Sequence, residues 1–266
     1  MNSFSEKLDF SSKKNSSILC VGLDIHPNIT PQSNLVSYAK KIIRSTNNFV
    51  CAYKINLSFF EIYGSLGIKN MEEIISFIKK TTPHIPIVGD GKRGDISSSS
   101  EMYAKAIFDT WKFDACTINA FAGEDSIKPF LNYKEKGIFI WCKSSNPSSK
   151  DLQDLNVIDL TKKTQPFYKT LAQKSIQWNQ NHNVGLVVGG TYHNHLKEIQ
   201  SICPNMKILV PGIGKQGGDI KKTLSTYPDN IIISSSRSII YPENGQSAHN
   251  IEQEARKMNL EINSYR

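Results

Sequence analysis

The chain contains no run of about 18 consecutive apolar residues, which excludes a membrane-spanning helix. Its first 14 residues mix lysines with acids and lack an apolar core, so they do not read as a secretory signal. Only five cysteines occur in 266 residues (Cys20, Cys51, Cys116, Cys142 and Cys203), and no two are spaced as CxxC. That pattern argues against a disulfide framework or a thiolate metal site. Four of the five lie in apolar runs, as buried reduced thiols of a cytoplasmic protein would. Histidine offers no ligand set either: His26 stands alone, and His193 with His195 lacks acidic company in the sequence. A zinc site needs three or four ligands, so no metal is expected. Internal repeats, low-complexity blocks and interdomain linkers are also missing, and one domain spanning 1–266 is the expectation. The net charge of +8 favours anionic partners, yet the lysines are scattered and form no dense basic block. A phosphorylated small molecule fits that balance at least as well as a nucleic acid.

What the chain does have is a hydrophobic content of 39%, arranged in eight short runs rich in β-branched residues. They cover 18–24, 49–55, 85–90, 115–120, 137–143, 184–190, 207–213 and 231–237. Each is continuous rather than alternating, as expected of strands covered on both faces. Segments of helical period separate them. In 35–47 the apolar positions Val36, Ala39, Ile42 and Ile43 share one face. The same holds for Met71, Ile74, Ile75 and Ile78, and for Ile220, Leu224 and Tyr227. Repeated strand–helix alternation implies parallel strands joined by right-handed crossovers. Eight such units in one chain of this length predict an α/β fold of the (β/α)8 TIM-barrel type, with a doubly wound sheet as the alternative. Residues 1–17 read as a leader packed on the barrel bottom, and 250–263 as a closing helix. The long connection 144–183, with a helical stretch near 166–179, is a candidate lid.

On a barrel, chemistry belongs at the C-terminal ends of the strands. There the third run passes into Asp90-Gly91-Lys92-Arg93-Gly94-Asp95, with helical sequence resuming near Ser100. Alternating charges this close can hold one another ionised, and a lysine kept protonated between carboxylates can deliver its proton to a carbanion. A solvated loop with surface ion pairs is the plainer alternative. Lys54 near the end of the second run needs a carboxylate partner, and Asp90 is the obvious candidate. Asp24 ends the first run, where it could equally cap the next helix; Ser145 and Asn146 follow the fifth, where they could be turn residues before Pro147. Glu124 and Asp125 suit the start of a helix. The seventh run leads into Pro211-Gly212-Ile213-Gly214-Lys215-Gln216-Gly217-Gly218, and the eighth ends at Arg237. Glycine backbone N–H groups and an arginine after these two strands suit a phosphate.

Taken together, Asp90-x-Lys92-x-x-Asp95, Lys54 within Ala52-Tyr53-Lys54-Ile55-Asn56, and the Pro211–Asp219 glycine stretch resemble the orotidine 5′-phosphate decarboxylase family. The Lys92–Ile96 wording and Lys143-Ser144-Ser145-Asn146-Pro147 resemble its type 2 branch. The likeness extends from Val21 to Arg237. It implies a cytoplasmic homodimeric barrel that converts orotidine 5′-monophosphate to UMP without metal or organic cofactor, engaging neither nucleic acid nor membrane. By resemblance, Lys92 protonates C6, Asp90 faces the substrate carboxylate, and Lys54 links the carboxylates to the ribose hydroxyls. Asp95 reaches into the neighbouring subunit's site and completes a Lys-Asp-Lys-Asp array. Asp24 binds ribose, Ser145 recognises the pyrimidine edge, Gln216 and Arg237 hold the phosphate, and Asn146 and Gly214 are further substrate-binding residues. Two positions depart from the family pattern: Ser99 stands where threonine is usual, and Gly189-Gly190-Thr191 has glycine where alanine is frequent. Sister barrels that act on sugar phosphates use magnesium with a glutamate near the second strand. Here that region carries Lys54, with Glu61 a turn or more beyond.

Overall fold

The computed structural model describes residues 3–158, 162–191, 193–213, 219–226 and 230–266. Tyr227 and residues 214–218 therefore lie outside the described residues.

β-Branched runs that are apolar at every position can be buried on both faces, and eight of them close into one parallel barrel. Its strands are β1 (Leu19–Gly22), β2 (Ala52–Asn56), β3 (Ile87–Arg93), β4 (Ala115–Ile118) and β5 (Gly137–Lys143). A small antiparallel hairpin follows, β6 (Asn156–Ile158) with β7 (Thr164–Pro166). The barrel resumes with β8 (Val184–Val188), β9 (Ile208–Val210) and β10 (Ile231–Ser235), which pairs with β1 and closes the ring. The doubly wound alternative is thereby set aside.

Side chains that alternate along the strands divide the core in two. One set, including Leu19, Val21, Ile87 and Ile233, packs outward against helices such as Leu35–Thr46 and Gly64–Thr81. The other, including Cys20, Ala52, Val88, Ala115, Phe139 and Ile232, fills the barrel interior. Phe4 and Leu8 of the N-terminal helix Phe4–Asn15 join this inner set. That helix starts with a capping box between Ser3 and Glu6. Phe4 meets Phe139 edge to face at 5.7 Å, and Lys7 pairs with Asp114 at 2.9 Å. Gly137 makes room for the ring, since a Cβ there would lie 2.3 Å from Phe4 Cδ1.

Several strands are shorter than the apolar runs that announce them. Leu23 and Ile25, for example, stay buried past the last paired residue of β1. The third strand departs the other way. Expected to stop at Asp90, it continues through Lys92 to Arg93, with a register shift against β4 between Asp90 and Arg93. The next helix begins at Ser97 rather than near Ser100, its first turn built of serines, which are better tolerated at a helix start than in its interior. The connection after β5 holds a 3₁₀ turn at Pro147–Asp151, the β6–β7 hairpin and helix Phe167–Trp178. The C-terminal helix spans Ala248–Asn263, with Ser247 accepting from the Asn250 N–H as its cap. Among the described residues no helix is long and apolar enough to cross a membrane.

Candidate active site

Three adjacent strands deliver a chain of alternating charges to the C-terminal end of the barrel. Lys54 on β2 donates to Asp90 on β3 at 3.0 Å and reaches Asp24, just past β1, at 3.4 Å. Lys92 Nζ donates to the other Asp90 oxygen at 2.7 Å. Asp24 thus pairs with a lysine rather than capping a helix. Strand pairing sets this geometry: Gly22 lies opposite Lys54 and Asn56 opposite Asp90, so the charged side chains converge. Thr117 on β4 completes the cluster by donating to Asp90 Oδ1 at 2.7 Å and accepting the Lys92 N–H at 3.1 Å.

Lys92 sits in the bulge with a positive φ of 47°, an uncommon conformation for a residue with a side chain. A bulge of this kind re-aims one side chain without breaking the strand. Its ammonium lies 5.7 Å from the Trp141 ring on β5. Gly94 lets the chain leave the bulge, for a Cβ there would fall 2.0 Å from the Asn119 carbonyl oxygen.

The array is electrostatically locked. Burial pushes the Asp90 carboxyl up, but Lys54, Lys92 and the hydrogen bonds from Lys92 and Thr117 outweigh it, holding the group well below the usual carboxylate range. Burial pulls Lys54 down, and Asp24 with Asp90 more than reverses this, so its ammonium persists above the ordinary lysine range. Lys54 and Asp90 are buried, whereas the Lys92 side chain keeps 33% exposure. Lys92 is therefore the more open of the two lysines that flank Asp90.

A cavity of about 420 Å³ opens beside the array, bordered by Asp24, Lys54, Gly212, Ser236 and Arg237. A larger one, about 750 Å³, lies at the opposite end near Phe4 and Gly137 and contains no member of the array. The smaller cavity is the relevant one, because a ligand there can touch charges already fixed in place. Arg237 is exposed at its rim, and Gly212 takes a φ of 88°. Gly214 and Gln216 lie outside the described residues.

Ser145 is half-buried just past β5, held by Thr191, whose hydroxyl donates to the Ser145 carbonyl at 3.4 Å. Gly189 explains part of that packing: a Cβ there would sit 2.7 Å from the Ser145 backbone. Asn146 is exposed and accepts from the Ser144 hydroxyl. Asp95 is not brought into this cluster. Its carboxylate is exposed and accepts the Ile96 N–H at 2.7 Å. Ser99 lies in the first turn of helix Ser97–Lys105.

One further observation revises a sequence expectation. His195 does have acidic company in space, with Nε2 3.8 Å from Asp154 Oδ1, although no group of three or more metal-ligating side chains occurs among the described residues. Glu61, the first acid after the second strand in sequence, is paired with Arg93. Thr117 and Trp141 escaped the sequence reading because each sits inside a strand rather than at its end. Thr117 left one trace, as a hydroxyl in an otherwise apolar run.

Fold and site together define a class, the (β/α)8 barrels that carry an aspartate–lysine array on their strand ends. A family model described as the orotidine 5′-phosphate decarboxylase / HUMPS family matches residues 17–250, and the chain belongs to that family. It is 40% identical over 269 residues to the orotidine 5′-phosphate decarboxylase of Dehalococcoides mccartyi, covering 99% of this chain and 98% of that protein. The structure of Leishmania donovani OMP decarboxylase superposes with a TM-score of 0.87 at 33% identity, covering 99% of this chain and 98% of the other. Leishmania donovani UMP synthase gives a TM-score of 0.90 at 34% identity over the whole of this chain, which spans 57% of that longer protein.

Proposed function

We propose that this protein decarboxylates orotidine 5′-monophosphate to UMP, the closing step of pyrimidine nucleotide synthesis, without metal or organic cofactor. The observation that carries the reading is the charged array of Asp24, Lys54, Asp90 and Lys92, in which Lys54 and Asp90 are buried and Lys92 is both charge-paired and substantially open. In the reaction the bond from C6 to the carboxylate carbon breaks, CO₂ departs, and the electron pair stays on C6. No adjacent π-system accepts that charge. A fixed ammonium at C6 stabilises the charge as it forms and then transfers its proton there. Asp90 would stand beside the departing carboxylate, with its own charge already secured by two lysines. Lys54 and Asp24 would hold the ribose hydroxyls. Arg237 with Gln216 and Gly214 would take the phosphate, whose binding energy can be spent on ordering the reacting end.

The second subunit belongs to the same proposal. Asp95, turned outward, would complete the array of a partner, and Ser99 would contact the partner's ribose. An apolar surface around that loop supports this reading: Ile96 is 67% exposed and Phe121 76%, with Ile62 and Met102 also open to solvent. A cytoplasmic location accords with five free, buried cysteines.

The test is loss of orotidine 5′-monophosphate, followed by ultraviolet absorbance with EDTA present, for wild type and Lys92→Ala. We expect rapid turnover by wild type and at least a thousandfold loss, about 4 kcal/mol of barrier, in the variant. A well-folded wild type that leaves the nucleotide untouched, or turns it over only without chelator, would sink the proposal.

A further inference from the structure

One buried cation has no part in the chemistry above. Lys143 ends β5 with no solvent exposure, and burying an ammonium is costly unless it is paired. Its Nζ donates to Asp154 Oδ1 at 2.6 Å and to Ser149 Oγ at 3.2 Å, and lies 5.8 Å from the Tyr168 ring. Asp154 and Ser149 belong to the segment that follows β5, so this lysine pins a loop back onto the strand it left.

That loop is the one bearing Ser145 and Asn146. Within it, Gln153 Oε1 accepts the Ser144 N–H at 2.8 Å, and the Gln153 N–H donates to the Ser149 carbonyl at 2.9 Å. The Tyr168 N–H donates to the Gln153 carbonyl at 3.0 Å, tying the same segment to helix Phe167–Trp178. From the other side Thr191 and Gly189 hold the Ser145 backbone. The stretch 144–146 is thereby strung between β8 and a segment whose position Lys143 fixes. His195 Nε2 approaches the same Asp154 oxygen, but at 3.8 Å it stands beyond hydrogen-bond distance. Burial and the nearby Lys143 push its imidazole below the ordinary value of 6.5, so near neutral pH it is mostly uncharged.

We infer that Lys143 is a positioning residue for recognition of the pyrimidine base: it anchors 149–154, which sets Ser144 and so aims Ser145 and Asn146 into the site. The inference rests on the functional reading above, in which that loop meets the base. A purely structural lysine would stabilise the barrel without distinguishing one part of a ligand from another. Lys143 should affect the base half of a nucleotide and spare the sugar-phosphate half.

The experiment measures Lys143→Met, which keeps the volume and removes the ammonium with its bonds to Asp154 and Ser149, alongside Asp154→Asn. For each full-length variant, the KM for orotidine 5′-monophosphate and the inhibition constants of UMP and ribose 5-phosphate are compared with wild type. We expect KM and the UMP constant to rise roughly tenfold in Lys143→Met and less in Asp154→Asn, with ribose 5-phosphate within about twofold of wild type. Equal weakening of both inhibitors would mean general loosening of the barrel and overturn the inference, as would no change in either. Should Lys143→Met fail to fold, the same contrast in Asp154→Asn decides the matter. A wild type that turns over the substrate beside an unaltered variant removes the anchor alone. A wild type that neither turns it over nor binds UMP removes the functional reading and the anchor with it.

Discussion

Asp90 holds together groups that would otherwise repel, since it is the carboxylate between Lys54 and Lys92. Its folded carboxyl is held below the ordinary value of 3.8, so the stability it contributes is present above that pH and is lost as pH falls through the folded value. Lys54 is raised above its ordinary 10.5, so its contribution is full below that pH and is lost only in stronger alkali. Between those limits the array should add a constant increment. Asp90→Asn is expected to cost roughly 3–5 kcal/mol near neutral pH, because it leaves two lysines with too little counter-charge. Urea unfolding at a series of pH values checks this: the gap to wild type should narrow only below about pH 4. A gap that widens on acidification would contradict the assignment. Asp90, Lys92 and Lys54 could be picked out from sequence because charges inside apolar runs are conspicuous. Thr117 and Trp141 could not, since a threonine or tryptophan within a strand is ordinary until its neighbour is known.

At the scale of elements, the strands were readable because continuous β-branched runs leave few other ways to be buried. Their ends were less so. Apolar residues such as Leu23 and Ile25 continue past the ladder, whereas the polar tail of β3 stays inside it. Sequence periodicity reports burial, and the ladder is set by register. The β6–β7 hairpin was invisible for a related reason, being exposed at half of its strand positions and buried at only one. The N-terminal helix shows how an element can matter far from the site. Phe4 closes the barrel floor over Gly137, and its backbone N–H donates to the Glu135 carbonyl at 2.7 Å. Phe4→Ala should lower stability by about 3 kcal/mol through the cavity it leaves, with kcat nearly unchanged. Thermal unfolding together with steady-state kinetics would reveal the split. A large fall in kcat at full folding would mean that the floor communicates with the opposite end.

For the whole molecule, the proposed sharing of Asp95 makes each site a joint product of two chains. Lys92→Ala and Asp95→Ala proteins, each nearly inactive, should regain activity when mixed. A random hybrid carries one site that has both residues, so recovery should approach about a quarter of wild type. Demonstrated subunit exchange without recovery would refute a shared site. The five cysteines make the molecule a recorder of its own opening. All are free and buried, and burial pushes the Cys20 thiol up to about 12, so the folded state should be inert to alkylating agents. Cys20 and Cys51 lie in the inner core, whereas the Cys142 and Cys203 thiols donate to carbonyls of Tyr168 and Ala172 in helix Phe167–Trp178. Lifting that one helix would unmask the second pair and leave the first sealed. Timed alkylation read by mass spectrometry should therefore mark Cys142 and Cys203 together and ahead of Cys20 and Cys51, dating the release of one helix separately from the collapse of the ring.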